Sequence, residues 1–143
     1  MIIIKEINAT DTYKIRLEVL RKDIDLPYKF DGDFNKETFH LGGFYENELV
    51  GIATFMKNDI ESLKGNQYQL RGMATTMKAR GKGLGKLIIN KAVAILKEKQ
   101  IEFLWCNARK EAVLFYEKLN FAKIGKEFTV EKVGPHFKMY TKI

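Results

Sequence analysis

The stretch that decides the fold is a short basic loop of alternating glycines: Arg80-Gly81-Lys82-Gly83-Leu84-Gly85. A predicted strand from Tyr68 to Thr75 precedes it, and apolar residues at helical spacing from Leu84 to Leu96 predict an amphipathic helix after it. Glycines let bare N–H groups point at a ligand, and a helix N-terminus favours negative charge. The loop therefore predicts an anion site, with added positive charge from Arg80, Lys82 and Lys86. The structural alternative is a tight turn that needs glycine only for its backbone angles.

Two common phosphate-binding patterns fail on particular residues of this loop. A P-loop needs Ser or Thr after Gly-Lys, and Leu87 follows Gly85-Lys86 here. A dinucleotide-binding loop needs its last glycine where Lys86 stands, and an acidic residue at the end of the next strand, which closes on Trp105-Cys106-Asn107. The predicted anion is therefore held by neither standard nucleotide arrangement.

The remaining pattern predicts one mixed α/β domain of the α+β type over residues 1–143, with a central sheet of about seven strands flanked by helices. In chain order we first expect a strand at residues 2–7, a helix from Asp11 to Leu20 capped by Thr10 or Asp11, and an irregular stretch over 22–38. A hairpin from His40 to Met56 follows, and then the strand, loop and helix described above. The chain ends with a buried strand from Ile101 to Cys106, a helix from Ala112 to Leu119 ending at Asn120, and two strands around Gly134-Pro135.

Composition limits the expected location, the possible disulfide and metal sites, and the expected ligands of the protein. No apolar run approaches the roughly 20 residues of a membrane span, and Met1–Ile4 is too short for a signal peptide, so we expect a cytoplasmic protein. The single cysteine, Cys106, excludes an internal disulfide, and with only two histidines we expect no metal site. The net charge of +7 is compatible with nucleic acid, a membrane surface or small anions, but most of the lysines are dispersed, which is the pattern of an ordinary solvated surface.

The loop and the segment after it resemble a known family. The loop resembles the R/Q-x-x-G-x-G/A pyrophosphate loop of the GNAT N-acetyltransferases. A second resemblance to that family lies downstream, where its second motif is matched by Asn107-Ala108-Arg109, Ala112, Phe115-Tyr116, Lys118 and Phe121.

Further segments resemble the bacterial glyphosate N-acetyltransferases within that family. They are Ile7–Ala9, Asp11–Tyr13, Leu20-Arg21, Phe39–Gly43, Tyr68–Thr75, Leu104–Arg109 and Val133–His136. The resemblance covers nearly the whole chain and is weakest across residues 22–38 and 57–66. The glycine loop departs from those enzymes towards the general family pattern.

The resemblance implies acetyl-coenzyme A (acetyl-CoA) as the acetyl donor, no metal, and direct transfer in a ternary complex. It implies that Thr75 pairs with the pantetheine arm through its main chain and Asn107 through its side chain. The implied cofactor-binding residues are Met73, Ala74, Thr75, Arg80, Gly81, Lys82, Gly83, Leu84, Gly85, Lys86, Asn107, Phe115 and Tyr116.

Three residues are implied to do the chemistry. Tyr116 would protonate the leaving sulfur, His136 would take the proton of the amine, and the Met73 N–H would bind the thioester carbonyl. As structural alternatives, Tyr116 could be a core aromatic, although Phe115 beside it can fill that role. His136 could be an ordinary loop histidine, and Met73 is compatible with a plain strand core. His40 has no such support and is expected to be structural.

Three arginines suggest the acceptor. Arg21, Arg71 and Arg109 fall at the end of the first helix and on two central strands. An arginine such as Arg71, in a segment otherwise suited to burial, needs an anionic partner. That partner is either a carboxylate such as Glu18 or Glu111, or an acidic group of the substrate.

The resemblance assigns these arginines and His136 to the substrate pocket. We therefore expect an N-acetyltransferase for a small, anionic, glyphosate-like amine: an amino acid or aminophosphonate. The chain is expected to act as a monomer or homodimer, without nucleic-acid or membrane partners. Cys106, in an apolar strand, is expected to be a buried thiol rather than a nucleophile.

Alternatives remain open at this point. The acceptor could be a cationic amine or a protein N-terminus, for which Asp31, Asp33 and Glu37 could supply acidic groups. A basic nucleic-acid-binding module is a remoter alternative, because it would want basic residues clustered on one face with stacking aromatics. A non-catalytic coenzyme A sensor is a third, which the presence of both Tyr116 and His136 disfavours.

Overall fold

The computed structural model describes all 143 residues as one eight-stranded sheet flanked by helices. The strands are β1 (Ile2–Ile7), β2 (Phe39–Tyr45), β3 (Glu48–Lys57), β4 (Gln67–Thr75), β5 (Phe103–Arg109), β6 (Ala122–Lys123), β7 (Phe128–Val130) and β8 (Gly134–Lys142). The α-helices are α1 (Tyr13–Ile15), α2 (Leu84–Glu98) and α3 (Val113–Glu117). The predicted fold class is confirmed. The strand beyond the expected seven is the two-residue β6.

The sheet opens at its centre. The strand order is β1-β2-β3-β4-β5-β8-β6, with β7 also paired to β8. Every pair is antiparallel except β4 with β5. That parallel pairing ends at Leu70 and Cys106, whereas Asn107–Arg109 continue to pair with β8. The last residues of β4 therefore have no partner strand on the β5 side, and a wedge-shaped gap forms there.

Two glycines seat helix α2 beside this gap. Gly43 and Gly51 face each other across β2 and β3, and Leu84, 2% exposed, packs onto both. A methyl group at Gly43 would lie 2.9 Å from the Leu84 side chain. The missing side chains allow the first turn of α2 to approach the sheet closely, so the glycine loop lies next to the central strands.

The first helical segment differs from its prediction. It begins with a 3₁₀ turn at Ala9–Thr12 and follows Asn8, not Thr10 or Asp11. Asp11 instead accepts a hydrogen bond from the Asn8 amide at 2.9 Å, which ties down the start of the segment. The segment ends in a π-helical turn, Arg16–Leu20.

Two later elements also differ in length. Strand β5 continues to Arg109, three residues past the predicted end, because the polar residues after Cys106 pair with β8 at the edge of the gap. Helix α3 is only Val113–Glu117, preceded by a 3₁₀ turn at Lys110–Ala112. Asn120 has the predicted left-handed backbone, with φ of 70°. No helix is long and apolar enough to cross a membrane.

Candidate active site

A cavity of about 500 Å³ occupies the gap between β4 and β5. Its walls bring together every residue predicted for substrate binding and catalysis: Arg21, Arg71, Met73, Arg109, Tyr116 and His136. Asn107, predicted for cofactor binding, lies on the same wall. The opposite wall is the stretch of residues 22–38, which the sequence left unassigned. We call this the acceptor cavity.

The three arginines reach the acceptor cavity without a carboxylate partner. Arg21 donates from Nε to the Pro27 carbonyl at 2.9 Å, and Arg109 donates to the Leu20 carbonyl at 3.1 Å. Arg71 makes no hydrogen bond within the protein and no ion pair. Most guanidinium N–H groups around the cavity are therefore free.

The protein carboxylates considered as partners do not pair with these arginines. Neither Glu18 nor Glu111 forms an ion pair. Burial lowers the pKa of Arg21, and the neighbouring charges of Arg109 and Arg71 lower it further. The cavity wall carries these three guanidiniums and Lys29 against one carboxylate, that of Asp31, so positive charge is in excess there.

Phe30 lies among these charges. Its ring centroid is 3.8 Å from the guanidinium carbon of Arg16, 4.4 Å from that of Arg71 and 5.6 Å from that of Arg21. The negative face of an aromatic ring stabilises a cation without using its N–H groups. Phe30 can therefore hold the arginines together while leaving their donors free. Sequence reasoning missed it because it lies in an irregular stretch with no motif.

A buried ion pair fixes this stretch to the sheet. Arg16, fully buried, donates to both carboxylate oxygens of Asp33 at 2.8 and 2.9 Å, to Thr54 Oγ1 at 2.8 Å and to the Tyr28 carbonyl at 2.9 Å. Burial alone would raise the pKa of Asp33, but hydrogen bonds from Arg16 and the Phe30 amide, with the charge of Arg16, hold it below its ordinary value. Sequence reasoning did not find this ion pair. The available signal was Arg16 itself, a charged residue next to the apolar position Ile15.

His40 belongs to the same network. Its Nε2 lies 3.0 Å from the Asp33 carbonyl and its Nδ1 2.7 Å from Thr54 Oγ1. A carbonyl only accepts, so Nε2 donates and Nδ1 accepts the hydroxyl proton. The expected structural role of His40 is confirmed.

His136 is held with one nitrogen free. It is 7% exposed, and its Nδ1 lies 2.8 Å from the Gly134 carbonyl. Since the carbonyl only accepts, Nδ1 carries the hydrogen, and in the neutral ring Nε2 keeps its lone pair. Nε2 has no partner in the protein. The imidazole that lines the acceptor cavity is therefore in the tautomer that can accept a proton through Nε2.

Tyr116 presents an unbonded hydroxyl to the same cavity. Its side chain is 6% exposed and packs against Phe121, with ring centroids 5.3 Å apart. Burial, and then the neighbouring Cys106, raise the pKa of the phenol well above its usual value, so it stays protonated at neutral pH.

Phe115 does not fill the core role that was considered as an alternative for it. Phe115 is 36% exposed and lies over Gly85 at the start of α2, where a methyl group would meet its ring at 2.8 Å. The short α3 turns Tyr116, not Phe115, towards the core. The close contact nevertheless keeps Phe115 beside the glycine loop.

Cys106 is a buried thiol, as expected. Burial raises its pKa far above the ordinary value, so the nucleophilic thiolate is not populated near neutral pH.

The glycine loop has the features of an anion site. Gly81 and Gly83 have φ of 81° and 71°, and a methyl group on either would meet no other atom within 4 Å. The N–H groups at the start of α2 lack backbone acceptors until Leu87, which donates to the Gly83 carbonyl. None of Arg80, Lys82 and Lys86 forms an ion pair. These free donors and cations fit a pyrophosphate.

Met73 lies just past an irregularity in β4. The register of β3 with β4 shifts between Ile52 and Thr54, and Gly72 has φ of 62°. Met73, Ala74 and Thr75 follow at the unpaired side of the gap. Their main-chain groups facing β5 are therefore available to a ligand. No group of three or more His, Cys, Asp or Glu side chains is arranged to hold a metal ion.

This fold, with a splayed central strand pair and a glycine loop at the start of the following helix, defines an acyltransferase that uses a coenzyme A thioester. The sequence profile of the acetyltransferase (GNAT) family matches residues 4–121, and the chain belongs to this family. The family uses acetyl-CoA as cosubstrate, and the chain is an acetyl-CoA-dependent N-acetyltransferase.

Particular relatives agree with this assignment. The chain is 35% identical over 142 residues to the uncharacterized N-acetyltransferase YitI of Bacillus subtilis, covering 98% of this chain and 95% of YitI. The crystal structure of Escherichia coli ElaA matches with a TM-score of 0.81 at 16% identity, covering 98% of this chain and 99% of ElaA. FeeM, an N-acyl amino acid synthase from uncultured soil microbes, matches at 0.80 and 11% identity, covering 99% of this chain and 91% of FeeM. The two structures show the fold.

Proposed function

We propose that this N-acetyltransferase acetylates a small acidic amine, an amino acid or aminophosphonate, and that its acceptor class is that of the glyphosate N-acetyltransferases it resembles. The observation that carries the proposal is the set of three arginines on the acceptor cavity, none with a carboxylate partner. Gathering like charges in a partly buried site is unfavourable unless a counter-charge arrives. A bound carboxylate or phosphonate supplies it, and a guanidinium binds such groups in bidentate fashion.

The donor site follows from the glycine loop. Arg80, Lys82, Lys86 and the free N–H groups of α2 would hold the pyrophosphate of acetyl-CoA, which brings a thioester-bound acetyl group to the site. The unpaired main chain of Met73–Thr75 and the side chain of Asn107 would hold the pantetheine arm.

The chemical steps use the two unbonded groups of the cavity. His136 Nε2 takes a proton from the acceptor ammonium, and the freed amine forms the C–N bond while the C–S bond breaks. The Met73 N–H donates to the carbonyl oxygen as negative charge develops there. Tyr116 gives its proton to the leaving sulfur, and the second proton that the nitrogen loses as the amide forms restores the Tyr116 hydroxyl. The buried Cys106 has no part in the transfer.

Of the three acidic residues that could bind a cationic acceptor, one is not available. Asp33 is buried and bonded to Arg16, so it is not available to a ligand. Asp31 and Glu37 remain, but Asp31 shares the cavity wall with Arg71, whose guanidinium has no ion pair. A cationic amine would meet repulsion from this charge.

Thiol-release kinetics with acetyl-CoA test the proposal on a panel of amines that carry a carboxylate or phosphonate, no charged group, or a second cationic group. An acidic amine here is any amine that carries a carboxylate or phosphonate, including α-amino acids with an uncharged side chain. We expect acidic amines to be preferred, and Arg71→Ala to raise their KM by about 30-fold or more, since losing one partner of a charged pair costs about 2–5 kcal/mol. Arg80→Ala is the matched control: it should raise the KM for acetyl-CoA and leave the acceptor KM unchanged. Turnover of spermidine with none of acidic amines would reverse the assignment.

A further inference from the structure

The acceptor cavity has a polar side chamber beyond Arg71. This chamber of about 240 Å³, the polar annex, shares Asp31, Gln69 and Arg71 with the acceptor cavity, and only one of its ten lining residues is hydrophobic. The shared residues form a neck between the two spaces. The two spaces therefore adjoin at these residues, and a ligand of the acceptor cavity would reach the annex past them.

The neck carries two side chains with free donors. Gln69 is 9% exposed, and its Oε1 accepts a hydrogen bond from Asn58 at 2.9 Å, while its Nε2 has no partner. Arg71, two residues along β4 on the same face, has no hydrogen bond either. Both side chains can therefore donate to a hydrogen-bond acceptor on a ligand, such as a carbonyl oxygen.

Two carboxylates offer the opposite chemistry. Asp31 lies at the neck and Glu37 lines the annex beyond it, and neither carboxylate forms an ion pair or hydrogen bond within the protein. A second carboxylate on the ligand would suit the neck but be repelled by these two groups. An ammonium would suit them but be repelled by Arg71. A carboxamide has a carbonyl oxygen for the neck and two N–H donors for the carboxylates.

We propose that the polar annex is an acceptor subsite for a carboxamide group, so that the acceptor is an amino acid with a carboxamide at the end of its side chain. This inference rests on the proposed function, because Arg21 and Arg109 are taken to hold the carboxylate next to the reacting amine. Arg71 serves both spaces, since a guanidinium has five N–H donors and none is bonded here.

The test compares three acceptors of similar length on the full chain with acetyl-CoA: L-glutamine, L-glutamate and L-norvaline. We expect kcat/KM for L-glutamine to exceed the other two by about tenfold or more, the worth of one or two hydrogen bonds. Gln69→Leu and Glu37→Ala should each reduce this advantage severalfold, and Glu37→Ala, which lies outside the acceptor cavity, should leave kcat/KM for L-norvaline unchanged. Glu61→Ala, an exposed carboxylate outside the annex, is the matched control and should change no ratio.

The outcomes separate the two proposals. If acidic amines are acetylated but L-glutamine has no advantage, or if both annex variants keep the wild-type ratio, the annex proposal is overturned and the proposed function stands. If no acidic amine is acetylated, the proposed function fails. Glu37→Ala changes only an exposed side chain, so it remains informative even if Gln69→Leu disturbs β4, and melting temperatures show whether either variant is folded.

Discussion

At the residue scale, Tyr116 and His136 line the same cavity, but their surroundings suit one to give a proton and the other to accept one. The hydroxyl of Tyr116 keeps its proton because burial raises its pKa, whereas the Gly134 carbonyl leaves His136 with a lone pair on Nε2. Such pairs suit an acid and a base working in one reaction. Their free atoms are expected to find partners only when the substrates bind.

Replacing Tyr116 by Phe should therefore affect rate far more than stability. We expect Tyr116→Phe to lower kcat by about 10²–10³-fold, the usual range for losing a general acid. The KM values and melting temperature should change little, because the hydroxyl has no hydrogen bond in the protein. Steady-state thiol release and thermal unfolding measure the two effects.

Tyr140→Phe is the matched control for this change. Tyr140 lies on β8, pairs with β5 and does not line the acceptor cavity. Its hydroxyl can be removed without touching the proposed chemistry, so kcat should stay at the wild-type value. Equal kcat in both variants would contradict the role of Tyr116.

At the scale of elements, the π turn places two arginines over one ring. The Arg21 amide donates to the Arg16 carbonyl at 3.0 Å, an i to i+5 bond. The wider turn lets residues five apart share a side, and both guanidiniums lie near Phe30. An ordinary α-helix would rotate residues five apart to different faces.

The glycine loop can be tested at the same scale. Gly83→Ala places a side chain at φ of 71°, where no other atom lies within 4 Å. We expect a stability loss of about 1–2 kcal/mol from the left-handed backbone. We also expect the KM for acetyl-CoA to rise about tenfold or more, because the new methyl group points into the space assigned to the pyrophosphate. Kinetics with acetyl-CoA as the varied substrate measure it.

Gly125→Ala is the control for this change, because it also places a side chain on a left-handed backbone but outside the glycine loop. Gly125 has φ of 82° and is equally open, but it lies far along the chain between β6 and β7. Its substitution should lower stability similarly and leave the KM for acetyl-CoA unchanged. A parallel rise in KM would show that the effect of Gly83→Ala is general destabilisation.

At the scale of the whole molecule, one buried ion pair attaches the irregular stretch 22–38 to the sheet. Arg16 comes from the first helical segment, Asp33 from the stretch, and Thr54 from β3. The contact thus joins three parts of the chain and fixes the wall of the acceptor cavity that carries Phe30. Acceptor binding and global stability are expected to depend on it together.

Asp33→Asn should destabilise the protein strongly. Removing one partner leaves the buried charge of Arg16 uncompensated, which costs about 3–5 kcal/mol. Urea unfolding measures the loss, and Asp31→Asn, at an exposed carboxylate without an ion pair, should cost far less. A loss below about 1 kcal/mol would contradict the structural role of the pair.

The pH dependence of stability follows from the same residue. Because the pKa of Asp33 is lower in the folded state, its stabilisation is fully present above its unfolded pKa of about 3.9. It is lost as pH falls through the folded pKa. The wild type should therefore lose stability on acidification below about pH 4, and Asp33→Asn should lack this part of the slope.

Much of the site could be predicted because its signals are local. Arg80–Lys86 and Asn107–Tyr116 are short motifs attached to a strand or helix. The structure packs Phe115 against Gly85 and places Asn107 and Tyr116 on the cavity wall, although their roles stay predictions. Phe30, Gln69 and the polar annex could not be predicted. Each depends on contacts between segments far apart in the chain, for which a single sequence holds no pattern.

By itself, the sequence determined the element order, the glycine loop and the family. These follow from hydrophobic periodicity and from backbone requirements within a few residues. The tertiary structure decided which charged groups are paired. Asp33 forms an ion pair with Arg16, whereas Arg21, Arg71 and Arg109 form no ion pair with a carboxylate. The physical reason is that a charge's partner depends on which side chains the fold brings within about 4 Å and how deeply it buries them.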